Sequence, residues 1–192
     1  AGLKNVLVTN GFVSPGPAAD LLPLIDALNV DVKSMDDAFY VKQCRGHVKP
    51  VLELAEQAAA CGCHVEITNL VIPGLNDETR LIEALVEWIA SALGESTPLH
   101  LSAYHPQFKT DVAATTLHQL EEARTLALKT LPYVYLGNVC SGVGQDTACP
   151  HCGKLLVKRR GYATRVVGII GGVCAGCGCR VDLITRDCPQ TP

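Results

Sequence analysis

The chain has 192 residues, 48% apolar and 18% charged, with a formal net charge of −3; this allows one medium domain with a sizeable core and a small appendage. No apolar run approaches the length of a membrane span, and Ala1 to Asn10 lacks the basic, apolar and cleavage regions of a signal peptide, so a cytoplasmic protein is expected. Ten cysteines in a chain of this length without an export signal point to reduced thiols and metal ligation rather than to a disulfide scaffold.

Four apolar, β-branched runs stop abruptly at short polar signatures: Val6 to Thr9 before Asn10-Gly11, Leu28 to Val32 before Lys33-Ser34, Val65 to Ile72 before Pro73-Gly74-Leu75-Asn76-Asp77, and Leu99 to Tyr104 before His105-Pro106. A fifth strand is expected over Tyr133 to Val139. Helical spacing occupies Ala18 to Ala27, Lys49 to Cys61, Asp77 to Leu93 and Thr116 to Leu131. Asn76 or Asp77 is the expected cap of the third helix, with Glu78 in its first turn. Its body places Leu81, Ile82, Leu85, Trp88 and Ile89 along one side, opposite Glu83 and Glu87. Strand alternating with helix at this repeat predicts an α/β fold with a parallel sheet. The carboxyl ends of such strands form one edge, so their polar residues converge on a binding or catalytic face.

The composition changes near the C-terminus. From Cys149 onward seven basic residues face Asp182 and Asp187, a net +5, so the residues before Cys149 carry −8. The reading is therefore a domain over 1–140, a turn-rich linker over 141–148 and a second module over 149–192. Cys149-Pro150-His151-Cys152-Gly153 and Cys174-Ala175-Gly176-Cys177-Gly178 present two pairs of thiolates at tetrahedral spacing, each followed by a glycine. With strands expected over Leu155 to Lys158 and Arg165 to Ile170, this is a zinc-ribbon-like β module holding Zn2+ through Cys149, Cys152, Cys174 and Cys177. Iron or redox cysteines are the alternative; Cys179 could replace Cys177, and Cys188 is spare. A structural role is preferred for the ribbon. Its basic charge would suit nucleic acid, but its scarcity of aromatic residues argues against that.

Taken singly, the strand-end residues have ordinary explanations. Asp31 and Lys33, two apart on a strand, point the same way, either inward to bracket an amino acid's ammonium and carboxylate or outward as a surface ion pair. His105 either bonds a ligand or caps a loop; Pro73-Gly74 and Asn10-Gly11 are good turns. Cys61-Gly62-Cys63 and Cys44 are expected to be packed thiols, although Arg45 could lower the pKa of Cys44.

Together and in this order, Val8-Thr9-Asn10-Gly11, Asp31-Val32-Lys33, Ile72-Pro73-Gly74-Leu75-Asn76-Asp77 and Tyr104-His105-Pro106 resemble the later strands of radical S-adenosylmethionine (SAM) enzymes of the pyruvate formate-lyase activating type. Tyr135-Leu136-Gly137-Asn138-Val139 and the C-terminal knuckles bring the chain closest to the radical SAM proteins of the AmmeMemoRadiSam system. The resemblance implies a partial (β/α) barrel, SAM, a [4Fe-4S] cluster and a 5′-deoxyadenosyl radical that abstracts hydrogen. It also implies Memo-like and AMMECR-like partners. It places Asp31 and Lys33 at the methionine end of the cofactor and His105 near its ribose, with Asn10 and Asn69 facing the same pocket. The family's Cys-x3-Cys-x2-Cys cluster loop occurs nowhere in these residues. The expectation is therefore the second half of such a barrel, inactive alone, with Val6 to Thr9 as an exposed edge. Two other classes stay open: a zinc-ribbon interaction module for protein or nucleic acid on an α/β scaffold, and an unrelated barrel enzyme.

Overall fold

A computed structural model describes residues 2–183 and divides them between two compact units, 2–139 and 140–183. The first is a five-stranded parallel sheet in the order β1-β2-β3-β4-β5. Its strands are β1 (Val6–Thr9), β2 (Ala27–Asp31), β3 (His64–Val71), β4 (Leu99–Ala103) and β5 (Val134–Gly137). The helices are α1 (Pro15–Leu21), α2 (Asp37–Phe39), α3 (Val48–Ala60), α4 (Thr79–Trp88) and α5 (Leu117–Ala127). Strands laid down in sequential order wind in one direction, and crossovers of one hand then bring the helices to one face. The burial agrees: Leu28 and Val30, Val65, Ile67 and Val71, Leu99 and Leu101, Val134 and Leu136 all point to the helix side and are buried. Alternate positions form the other, bare face, apolar at Val6 and Val8 of β1 and mostly polar over β2 to β5.

The strands match the sequence reading to within one or two residues, whereas the helices differ for local reasons. The first helix starts earlier than expected, because Pro15 is compatible with a first helical turn. It ends at Leu21; Pro23 cannot donate to the preceding turn, and Leu22–Leu24 continues as a 3-10 turn. α4 passes into a π-turn over Ile89–Leu93. A further π-turn, Tyr40–Cys44, follows α2. The expected cap of α4 is not there. Glu78 is the N-cap residue and makes no side-chain cap bond, because Asn76 is buried elsewhere and the Asp77 carboxylate accepts from the Gly74 N–H at 2.8 Å. A capping box does close α5, where Thr116 and Gln119 bond reciprocally.

The second unit has β6 (Thr147–Ala148), β7 (Leu155–Arg160) and β8 (Ala163–Val166) in one antiparallel sheet, and β9 (Ile169–Ile170) paired antiparallel with β10 (Val173–Cys174). β6 occupies residues read as linker. The strand expected over Arg165 to Ile170 is broken, since the N–H groups of Val167 and Gly168 both turn to the Leu156 carbonyl, at 2.8 and 3.1 Å. Cys188, Arg186 and Asp187 lie outside the described residues.

Candidate functional site

Strand β2 ends at Asp31, and the chain turns at once around Lys33. The main-chain groups of Val32 and Lys33 are all held. The Val32 N–H donates to the Thr68 carbonyl at 2.9 Å, and the Lys33 N–H donates to the Tyr40 hydroxyl at 2.9 Å. Tyr40 is buried beneath, and burial pushes its phenol pKa up to about 12, so it serves as a neutral acceptor. Asn69 Nδ2 donates to the Val32 carbonyl at 2.8 Å and to that of Lys33 at 3.3 Å. Asn76 Nδ2 donates to the Lys33 carbonyl at 2.5 Å and to that of Leu70 at 2.8 Å, while its Oδ1 accepts from the Ile72 N–H at 2.6 Å. With the backbone fixed, the Lys33 ammonium reaches back 2.5 Å to Asp31 Oδ2, both side chains 30% exposed. A clamped loop carrying a half-exposed cation and anion is a preorganised binding element.

The other expected site residues fall into place differently. Asn69 is on the helix-covered face, in register with Leu101, buried and occupied with the Lys33 turn. It is a brace for that turn, and its Oδ1 has no hydrogen-bond partner. Asn10 is exposed and its Oδ1 accepts from the Phe12 N–H at 3.0 Å, closing the turn after β1. His105, also exposed, lies past the end of β4 with Nε2 3.0 Å from the Asn138 carbonyl. All these residues sit at the carboxyl edge of one sheet, but only Asp31 and Lys33 touch each other through their side chains.

The bare face also holds a cluster that the strand-end motifs did not reveal. Thr68 Oγ1 donates to Asn29 Oδ1 at 2.8 Å. Glu66 lies with Oε2 2.7 Å from His100 Nε2 and Oε1 3.2 Å from His64 Nε2. His100 and then His64 hold the Glu66 carboxyl far below the usual carboxylate range, and Glu66 in turn raises the His64 pKa. The His100 ring stacks on Tyr135 at 5.4 Å. A period-2 alternation in β2 to β5 carries the signal: parallel strands covered on both sides read as continuous apolar runs, and these do not.

The cysteines separate by role. Cys149, Cys152, Cys174 and Cys177 bring their four sulfurs within 4.8 Å of one another, with Cys149 to Cys177 at 3.7 Å and Cys152 to Cys174 at 3.6 Å. A disulfide needs about 2.05 Å, whereas four thiolates at about 2.3 Å from one tetrahedral Zn2+ stand about 3.8 Å apart. The two knuckles repeat one hydrogen-bond pattern: Cys149 N–H to Lys154 O and Gly153 N–H to Cys149 O, then Cys174 N–H to Cys179 O and Gly178 N–H to Cys174 O. Gly153 and Gly178 both adopt the left-handed backbone that this turn requires. The backbone amides of Cys177 and Gly176 lower the Cys174 pKa to about 6, favouring a thiolate. Cys179 contributes its carbonyl and is not part of the sulfur group. Cys63 is buried with Sγ 3.0 Å from the Ile25 carbonyl, but Cys61 and Cys44 are exposed, contrary to the packed reading. Partial desolvation raises the Cys44 pKa, opposed by Lys33 rather than by Arg45.

No protein-family model matches the chain. An uncharacterized protein of Methanocaldococcus jannaschii is 39% identical over 187 residues, a match covering 95% of this chain and 55% of that protein; the chain thus spans about half the length of this curated relative. A domain of pyruvate-formate lyase-activating enzyme from Bacteroides vulgatus is similar with a TM-score of 0.62 and 17% identity, covering 71% of this chain and 83% of the domain. A radical SAM methyltransferase from Sphaerobacter thermophilus (TM-score 0.57, 16% identity) covers 78% of this chain and 43% of its own. SuiB of Streptococcus suis, in a structure bound to S-adenosylmethionine, gives 0.57 and 13%, covering 72% and 34%. The structural neighbours are thus radical SAM enzymes, and the likeness is one of fold: a parallel α/β sheet matching part of the radical SAM barrel.

Proposed function

We propose that the chain is a C-terminal portion of a radical SAM enzyme of the AmmeMemoRadiSam type and that its bare sheet face binds the methionine end of S-adenosylmethionine through Asp31 and Lys33. The observation that carries this reading is the Asp31–Lys33 pair, standing on a turn whose Val32 and Lys33 backbone groups are all tied, at the carboxyl edge of a singly wound sheet. An α-amino acid offers one ammonium and one carboxylate, to which this anion and cation are complementary. His105 and Asn10, on the same edge, would border the rest of the cofactor. Bound there, SAM would supply a 5′-deoxyadenosyl radical for hydrogen abstraction; the chain's own part is to bind, orient and exclude water. The [4Fe-4S] cluster does not fit the cysteines in hand, since no Cys-x3-Cys-x2-Cys is present and the four grouped thiolates would leave no open position. Its ligands are assigned to a segment preceding Ala1. The activase role, a cytoplasmic location and Memo-like and AMMECR-like partners belong to the same proposal.

The four grouped cysteines we assign to structural zinc. Cys149, Cys152, Cys174 and Cys177 would each give one thiolate, closing a four-coordinate site with no catalytic position. Binding separates the readings. In this chain, isothermal titration should show S-adenosylmethionine binding weakened at least about tenfold by Lys33→Ala or Asp31→Ala. In a protein extended by its upstream reading frame and reconstituted with iron and sulfide, both variants should lose 5′-deoxyadenosine production. Undiminished binding and turnover in both would refute the assignment.

A further inference from the structure

The Glu66–His100 pair has a geometry with a chemical consequence. A carboxylate can only accept, so a neutral His100 facing Glu66 carries its proton on Nε2 and keeps a lone pair on Nδ1. Among the described residues no side chain or backbone group donates to that Nδ1. Asp31, Thr68, His100 and Tyr135 are register partners across β2 to β5 and stand in one row on the bare face. Neighbouring strands lie about 4.8 Å apart, so His100 is about 10 Å from Asp31. The titratable groups around it are Glu66 and His64 from β3, Tyr135 from β5, Asp31 from β2 and Lys33 from the turn after it. A face that only had to be covered could be apolar, as the helix-side face is; here instead two imidazoles flank one carboxylate at 2.7 and 3.2 Å.

We propose that His100, oriented by Glu66, is a proton-accepting residue for a second ligand that brings an O–H or N–H group onto this face, about 10 Å from the Asp31–Lys33 pair. The proposal rests on the reading of this face as the cofactor-binding face. On transfer, the ligand's O–H or N–H bond breaks, Nδ1–H forms, the electron pair stays on the ligand's heteroatom, and the imidazolium charge faces the Glu66 carboxylate. Glu66 is a positioning residue in this scheme.

The test uses the chain labelled with 15N-histidine, two-bond imidazole spectra between about pH 6 and 9, and diethyl pyrocarbonate as a probe of bare ring nitrogens. The expected result is a neutral His100 purely in the Nε2–H form and carbethoxylated within about tenfold of the rate of N-acetylhistidine, with the rate rising as the ring deprotonates. Glu66→Gln should mix the tautomers and slow the reaction at least about threefold, while Glu66→Asp restores the Nε2–H form. An Nδ1–H tautomer, a reaction slower than about one tenth of the reference, or no response to Glu66→Gln overturns the proposal. Unchanged signals from the four histidines outside the Glu66 cluster, His47, His105, His118 and His151, show that each variant is folded. S-adenosylmethionine titrated into the same sample tests the underlying reading separately. A His105 shift abolished by Lys33→Met supports that reading, and its absence sinks the reading without touching the His100 result.

Discussion

At the scale of single residues, Glu66 links stability to pH in a direction that can be worked out. Its depressed folded pKa contributes stability above its unfolded value of about 4.3, and that contribution is lost as pH falls. The raised pKa of His64 contributes below about 6.5 and is lost as pH rises through the folded value. The window where both act lies between those limits. Because the groups are about one third exposed, the pair contributes on the order of 1 kcal/mol or less. Glu66→Gln should therefore lower the melting temperature by about 2–4 °C at pH 5–6, measured by calorimetry, with a smaller deficit at pH 3 and pH 8.5. A deficit that is flat with pH would mean that packing alone is involved.

At the scale of elements, the turn after β2 is where local sequence and tertiary contact meet. Asn76 looks in sequence like a helix cap, because asparagine before an acidic residue and an apolar run has that pattern. In the fold it instead joins three segments, the ends of β2 and β3 and the start of the loop after β3, with three hydrogen bonds and almost no exposure. Asn76→Ala leaves the Ile72 N–H and the Leu70 and Lys33 carbonyls with lost partners, so a loss of about 2–3 kcal/mol is expected in urea unfolding. The same variant should weaken S-adenosylmethionine binding although Asn76 does not touch the Lys33 ammonium. If stability falls and binding is unchanged, the turn does not preorganise Lys33. Removing the Thr116 cap by Thr116→Ala serves as a comparison: about 1 kcal/mol lost and binding unchanged.

At the scale of the whole molecule, the two units draw stability from different sources. The sheet unit buries a long series of aliphatic side chains between β1 to β5 and the helices. Its β1 edge leaves Val6 66% and Val8 72% exposed on the bare face, an apolar surface of the kind that a further barrel strand would cover. In the described part of the second unit, the buried cluster is Cys149, Leu156, Val157, Cys174 and Val181. So few apolar side chains do not offset the entropy of ordering some forty residues, and the zinc proposed for the four thiolates would supply the missing free energy. Elemental analysis should find one zinc per chain, lost in Cys149→Ser or Cys174→Ser, with amide protection collapsing over β7 and β8. A metal-free chain that keeps that protection would show that the small core suffices.

The sequence by itself determined the five strands of the first unit, their parallel arrangement and the two knuckles, because each depends on local patterning: β-branched runs, helix-length spacers and a fixed Cys-x2-Cys-Gly interval. It also placed Asp31 and Lys33 on one side of a strand end. What needed the tertiary structure was which way the other polar residues face and what they meet. The resemblance places Asn69 facing the pocket, whereas in the fold it turns to the helix side as a brace, since a one-residue step along a strand exchanges its faces. Glu66, His100 and Tyr135 sit on three strands far apart in sequence, and only the register of β3, β4 and β5 brings them into one cluster. Local periodicity constrains a residue's face; its partners are decided by strand register, which long-range packing sets.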